Sequence, residues 1–161
     1  MNSTIVRKRG LIILGLIMLA IMIGATTVVL AQDSYWLTIT DVRTADTSGA
    51  SKTSFIRGEM VNVIVTVNFP LNYDADPTVT FLGLVRIDDP SDRMIILTSA
   101  EVTISQEETK SYSGAGMLSL DAPLGPYNAK AMVWNGWISV VGADWAPYAA
   151  DETVGFNVVS G

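Results

Sequence analysis

Between Val61 and Phe69 every second position is apolar: Val61, Val63, Val65, Val67 and Phe69 are separated by Asn62, Ile64, Thr66 and Asn68. A backbone that sends successive side chains to opposite faces turns this into a strand with one oily and one largely polar face. Such a strand is stable only when a second layer covers its oily face, so the pattern commits the chain to a packed sheet. The same period recurs. Tyr35, Leu37 and Ile39 share one parity, as do Val79, Phe81, Val85 and Ile87. Met94 to Leu97 and Val102 to Ile104 read as two short apolar strands, and Thr109 to Leu120 as a polar-faced one. Tyr127, Ala129, Ala131 and Val133 form the next, and Val154, Phe156 and Val158 the last. Turn chemistry separates them at Arg57-Gly58-Glu59, Asp74 to Pro77, Asp88 to Asp92, Gln106 to Glu108 and Asp121 to Pro126. No helical period of useful length follows Ala31. Seven or eight strands at this spacing predict an all-β, antiparallel β-sandwich over residues 32–161, a single domain with a sizeable core.

Upstream lies a different physical problem. Residues 10–31, GLIILGLIMLAIMIGATTVVLA, carry no charge and follow Arg7, Lys8 and Arg9. At about 1.5 Å per residue this run is long enough for one crossing of a bilayer, and the basic cluster holds its start in the cytoplasm. Residues 1–31 are therefore expected to be a signal peptide or membrane anchor, and residues 32–161 to be extracytoplasmic. Three fates stay open: cleavage after Val29-Leu30-Ala31, retention as an anchor, or cleavage after Gly10, where Arg9-Gly10-Leu11-Ile12 resembles an archaeal type IV prepilin site. The sequon Asn2-Ser3-Thr4 precedes the run and falls on the cytoplasmic side.

Charge and composition narrow the chemistry. All sixteen acidic residues but only seven of the ten basic ones follow the apolar run, a net charge of −9 for that part. So acidic a surface repels phosphate backbones, and no nucleic-acid partner is expected. The chain has neither His nor Cys. That removes Ser-His-Asp and Cys-His nucleophiles, His- and Cys-ligated metals and thiol redox chemistry. No enzyme activity, cofactor or metal is expected, and stability must come from buried Val, Ile, Leu and Phe rather than cross-links.

Two stretches carry a family resemblance. Phe55-Ile56-Arg57-Gly58-Glu59 leads into the alternating valines, and Asp121-Ala122-Pro123-Leu124-Gly125-Pro126-Tyr127 leads into Ala129 to Trp134. Both resemble immunoglobulin-like modules of archaeal cell-surface and secreted proteins, similar to CARDB-type and macroglobulin-type sandwiches, over roughly residues 35–159. The residues themselves agree with a corner: Gly58 and Gly125 tolerate positive φ, Pro123 stiffens the crossing loop, and Tyr127 can pack inward while its hydroxyl bonds the loop backbone.

The candidate binding residues are Trp134, Trp137, Trp145 and Tyr148, which place three of four tryptophans in the last inter-strand connection. Aromatic faces there suit a sugar or a protein partner, or else form a lid over the core. Asn135-Gly136 suits a tight turn. Asp88, Asp89 and Asp92, with Asp74 and Asp76, supply carboxylates for calcium or for a hydrolase pair, yet their spacing is that of an ordinary turn. Gly114-Ala115-Gly116 reads as a bulge or a thin spot in a strand. The expected function is a non-catalytic binding or structural module at the cell envelope, recognising a protein or glycan through the loop aromatics or an edge strand. The alternative is a filament subunit that self-assembles through a pilin-type helix or by donating Gln32 to Val42 to a neighbour's sheet. An uncleaved leader makes the membrane a further partner.

Overall fold

The computed structural model describes residues 36–71 and 75–161. The apolar run, its expected membrane role and Asp74 lie outside the described residues. Residues 35–161 form one compact unit.

Among the described residues eight strands occur in chain order: β1 (Thr38–Ala45), β2 (Ser54–Ile56), β3 (Met60–Asn68), β4 (Thr78–Asp88), β5 (Met94–Ser105), β6 (Thr109–Met117), β7 (Gly125–Trp134) and β8 (Glu152–Val159). They build two sheets, one ordered β1-β3-β6 and the other β2-β8-β7-β4-β5. β3 is central in the smaller sheet, with Val63 opposite Thr44 on one side and Gly114 on the other. Its valines at 61, 63, 65 and 67 and the following Phe69 are all fully buried. The parity visible in the sequence is thus the parity of the core.

Facing them from the larger sheet are Val79, Phe81, Val85 and Ile87 of β4 and Tyr127, Ala129, Ala131 and Val133 of β7. Aromatic rings fill the space between: Phe55 meets Phe156 edge-on at 5.5 Å, Tyr127 stacks on Phe156 at 5.4 Å, and Phe81 meets Tyr112 at 6.0 Å. Each large side chain so buried contributes about 1.5–3 kcal/mol. Tyr112 spans the core, donating its hydroxyl to the Met132 carbonyl at 3.1 Å, and its burial pushes the phenol pKa up.

Four sequence expectations need correction. The two short strands expected at Met94–Leu97 and Val102–Ile104 are one twelve-residue strand, β5. Half-buried Thr98 and Ala100, set between exposed Ser99 and Glu101, keep the alternation going with only weakly apolar side chains, which hides the continuity. The sandwich is not wholly antiparallel, because β2 pairs parallel with β8 through Phe55 and Val158. Only three residues long, β2 leaves no period in the sequence; what holds it is Phe55, buried in the core. Strand β6 ends at Met117 rather than Leu120, where the chain turns so that Leu118 exchanges backbone hydrogen bonds with Gly58 and Glu59. A single helical turn, α1 (Ile138–Val141), lies in the last connection.

The glycines at 114 and 116 are thin spots, not a bulge, since the β3–β6 register runs without a shift. A Cβ on Gly114 would collide with Thr98 Oγ1 and stand 2.7 Å from Val85 Cβ; one on Gly116 would collide with Ile96. Bare backbone at these positions lets β5 close over β6.

Candidate functional site

Strand β7 sets the site. Its first residue, Gly125, belongs to the corner and its last, Trp134, to the aromatic loop, so the two sequence-predicted clusters stand at opposite ends of a ten-residue strand, roughly 30 Å apart.

At the corner, Gly58 and Gly125 have φ of 81° and 129°, values that side-chain-bearing residues avoid. Tyr127 is buried, and its hydroxyl donates to the Pro123 carbonyl at 2.8 Å. Arg57 Nε donates to the Ala122 carbonyl at 2.7 Å, tying the β2–β3 turn to the same loop. These contacts are internal to the fold.

The acidic cluster is likewise turned inward. Asp89 is buried, and its carboxylate accepts from the Ser91 and Arg93 amides at 2.8 and 3.1 Å and from the Arg93 guanidinium at 2.9 and 2.7 Å. Burial alone would raise its pKa; the guanidinium and the two amides outweigh that and hold it below the ordinary carboxylate value. Asp88 pairs with Arg86 at 2.7 Å. Beside them a pocket of about 300 Å³ is lined by Arg93, Ile95, Met117, Asp121 and Pro123. Among the described residues no three acidic side chains converge as they would around a metal ion.

The aromatic loop is braced like a hairpin. The Asn135 amide donates to the Ala146 carbonyl at 3.0 Å, Asn135 Oδ1 accepts from the Ala146 amide at 3.1 Å, and Asn135 Nδ2 donates to the Asp144 carbonyl at 2.6 Å. One Asn side chain thereby closes the loop at both of its polar ends. Trp134 and Trp145 stack at 3.8 Å with planes 9° apart, and Trp145 Nε1 donates to the Gly136 carbonyl at 2.9 Å. Tyr148 stacks on Trp36 at 5.4 Å, while its amide and carbonyl bond Val133 and Leu37. Trp36 was not among the residues singled out by sequence, because it lies over a hundred positions upstream. Asn135 and Gly136 form a bend across which the two legs separate, not a two-residue hairpin turn.

Three of the four predicted aromatics are therefore committed to rings within the fold. Trp137 is the exception: it stacks on no ring among the described residues and is 42% exposed, against 38% for the stacked Trp145, beside Ile138 at 60% and Val140 at 80%. α1 buries none of its residues. Trp137, Val140 and Val141 form one wall of a pocket of about 180 Å³ whose floor is Thr80, Leu82 and Glu101 of β4 and β5. Sequence reasoning missed Ile138, Val140 and Glu101; the apolar run Ile138-Ser139-Val140-Val141 within a loop was the available signal.

No described protein family and no curated protein matches this sequence. Solved structures do. The C-terminal domain of wzt is similar at a TM-score of 0.59 and 12% identity, covering 79% of this chain and 75% of that one. A Bacteroides uniformis beta-glucuronidase is similar at a TM-score of 0.55 and 11% identity, covering 75% of this chain but only 14% of that much longer one. Likeness at such identities is a likeness of fold: this is an immunoglobulin-like β-sandwich. Function has to be argued from the chain's own surface.

Proposed function

We propose that this chain is a non-catalytic, extracytoplasmic module of the archaeal cell-surface kind, akin to CARDB- or macroglobulin-type sandwiches, that engages a protein partner through the Trp137 tip. The observation that carries the reading is a loop braced by the Asn135 amide and by ring stacking that presents Trp137, Ile138 and Val140 to solvent. Exposed tryptophan on a pre-ordered support contributes large contact area at little entropic cost. Support for an extracytoplasmic setting is the Arg7-Lys8-Arg9 cluster before an uncharged run of 22 residues. Support for a non-catalytic role is the lack of His and Cys and the commitment of Asp88 and Asp89 to arginines.

A protein is favoured over a glycan by what surrounds Trp137. Sugar sites combine an aromatic platform with free polar groups, but Asn135 has both ends of its amide in use and Thr80 is bonded to Thr103 at 2.8 Å. The remaining neighbours are apolar, apart from Glu101. A partner with an apolar socket and a basic rim complements that set.

The test is a photo-crosslinking amino acid at Ser139 in cells to capture the partner, followed by binding of the purified partner to Trp137→Ala. The variant is expected to bind at least about tenfold more weakly, as exposed aromatic anchors do. Its melting temperature should stay within about 2 °C, since a solvent-facing side chain contributes little to folding. Unchanged affinity, or capture that survives protease digestion and is lost on deglycosylation, would defeat the protein reading.

A further inference from the structure

The open edge of β5 runs beside the Trp137 pocket. β5 pairs only with β4, so one side of its backbone faces outward. The ladder contact from the Gln106 amide to the Pro77 carbonyl, 2.9 Å, fixes the phase: residues of even number bond β4, and those of odd number turn N–H and C=O away from it. The structure caps this edge at its C-terminal end. The Thr103 carbonyl accepts from Lys110 Nζ at 2.7 Å, and the Ser105 amide donates to Glu108 Oε2 at 2.9 Å. At the other end a register irregularity beside Ile87 and Asp88 breaks the ladder. Between these devices Leu97, Ser99 and Glu101 keep their outward rungs uncapped.

The other edges differ from this one. β1 has a register shift between Ile39 and Asp41 and a charged pair, Asp41 with Arg43. β2 is three residues long, and β6 has its inner face pressed against β5 side chains at Gly114 and Gly116. Exposed edges of this kind template the addition of another strand.

Glu101 gives the window a chemical preference. It is the one carboxylate on the pocket floor and makes no ion pair or hydrogen bond among the described residues. In an added antiparallel strand, the residue opposite Glu101 would stand about 5.5 Å away, Cα to Cα, with its side chain on the same sheet face. That is the face on which Trp137 walls the pocket. A lysine or arginine there reaches the Glu101 carboxylate and the tryptophan ring together, pairing charge with a cation–π contact.

The geometry points to an extended, basic segment of the partner as the occupant: it adds as a strand along Leu97 to Glu101 and sets one Lys or Arg into the pocket between Glu101 and Trp137. A second copy of this chain is disfavoured there, because residues 32–161 of each copy carry −9. This inference rests on the proposed role of the Trp137 tip and names what that tip recognises.

The probe is a synthetic eight-residue peptide of alternating Val and Thr with one central Arg, added to the detergent-solubilised, isotope-labelled full chain and followed by amide NMR. Shifts centred on Leu97, Ser99 and Glu101 are expected. N-methylation of the peptide's edge-facing amides should abolish them, and Arg→Glu in the peptide should weaken binding at least tenfold. Glu101→Gln should cut that Arg-over-Glu preference several-fold, the Trp137 ring keeping the remainder, and leave residual backbone shifts, with the variant's uncomplexed spectrum showing an intact fold. Shifts centred on β1 or β6, equal binding of the Arg and Glu peptides, or the same β5 shifts produced by concentrating the chain alone would overturn the inference. If instead Trp137→Ala weakens the natural partner but no peptide reaches β5, the tip reading stands and strand addition falls.

Discussion

Beside the Arg57 contact to Ala122, the Tyr127 hydroxyl fastens the loop that carries the chain from one sheet to the other. Its ring is core, stacked on Phe156, and only the oxygen reaches the Pro123 carbonyl. Tyr127→Phe keeps the ring and removes the bond, so a loss of about 0.5–1.5 kcal/mol is expected in urea unfolding. Asp89 is the acid-side counterpart. Its pKa is depressed in the fold chiefly because Arg93 outweighs burial, so its stabilising contribution is whole above the ordinary carboxylate pKa of about 4 and is lost as pH falls through the folded value. Asp89→Asn is expected to lower stability at neutral pH and to flatten its decline below about pH 4, as read from unfolding midpoints across that range. A decline as steep as in the parent chain would assign acid sensitivity to the other depressed carboxylates, Asp46, Glu59, Glu108 and Asp121.

Elements differ in how far their sequence betrays them. β3 was legible residue by residue because it is central, with one face wholly core and the other largely polar, so burial and alternation coincide. β5 was read as two pieces because an edge strand needs apolar side chains only where the opposite sheet touches it, and at Thr98 and Ala100 the opposite sheet offers Gly114 and its neighbours rather than bulk. Gly114→Ala tests that fit: the added methyl meets Thr98 and Val85, and a loss of about 1–3 kcal/mol is expected, against under 1 kcal/mol for Ala115→Ser on the outer face. Thermal unfolding of the two variants side by side decides it. Of the site, the aromatic loop was legible from composition, but the division of labour inside it was not. Which rings pair depends on a closure between Trp134 and Pro147 and on a contact from Tyr148 to Trp36, both set by tertiary structure rather than local pattern. A four-residue helix with no buried face leaves no period to detect.

For the molecule as a whole, the question is whether the loop presenting Trp137 opens on its own or only when the sandwich unfolds. Its base is part of the sandwich. Ala149 is fully buried, the Tyr148 amide and carbonyl bond Val133 of β7 and Leu37 before β1, and the Trp134 ring that supports Trp145 belongs to β7. Opening the loop therefore strips backbone bonds from both sheets, and its local stability should approach the global value instead of resembling that of a free surface loop. Tryptophan fluorescence reports on this connection through Trp134, Trp137 and Trp145, with Trp36 beneath Tyr148, so all four tryptophans sense the same end of the molecule. Far-UV circular dichroism reports on the strands. In urea the two signals are expected to trace one coincident transition in the chain from Tyr35 onward, the mark of a single cooperative unit. A fluorescence change at lower urea than the loss of strand signal would make the loop a separate, weaker unit, and the rigidity on which Trp137 recognition depends would be gone.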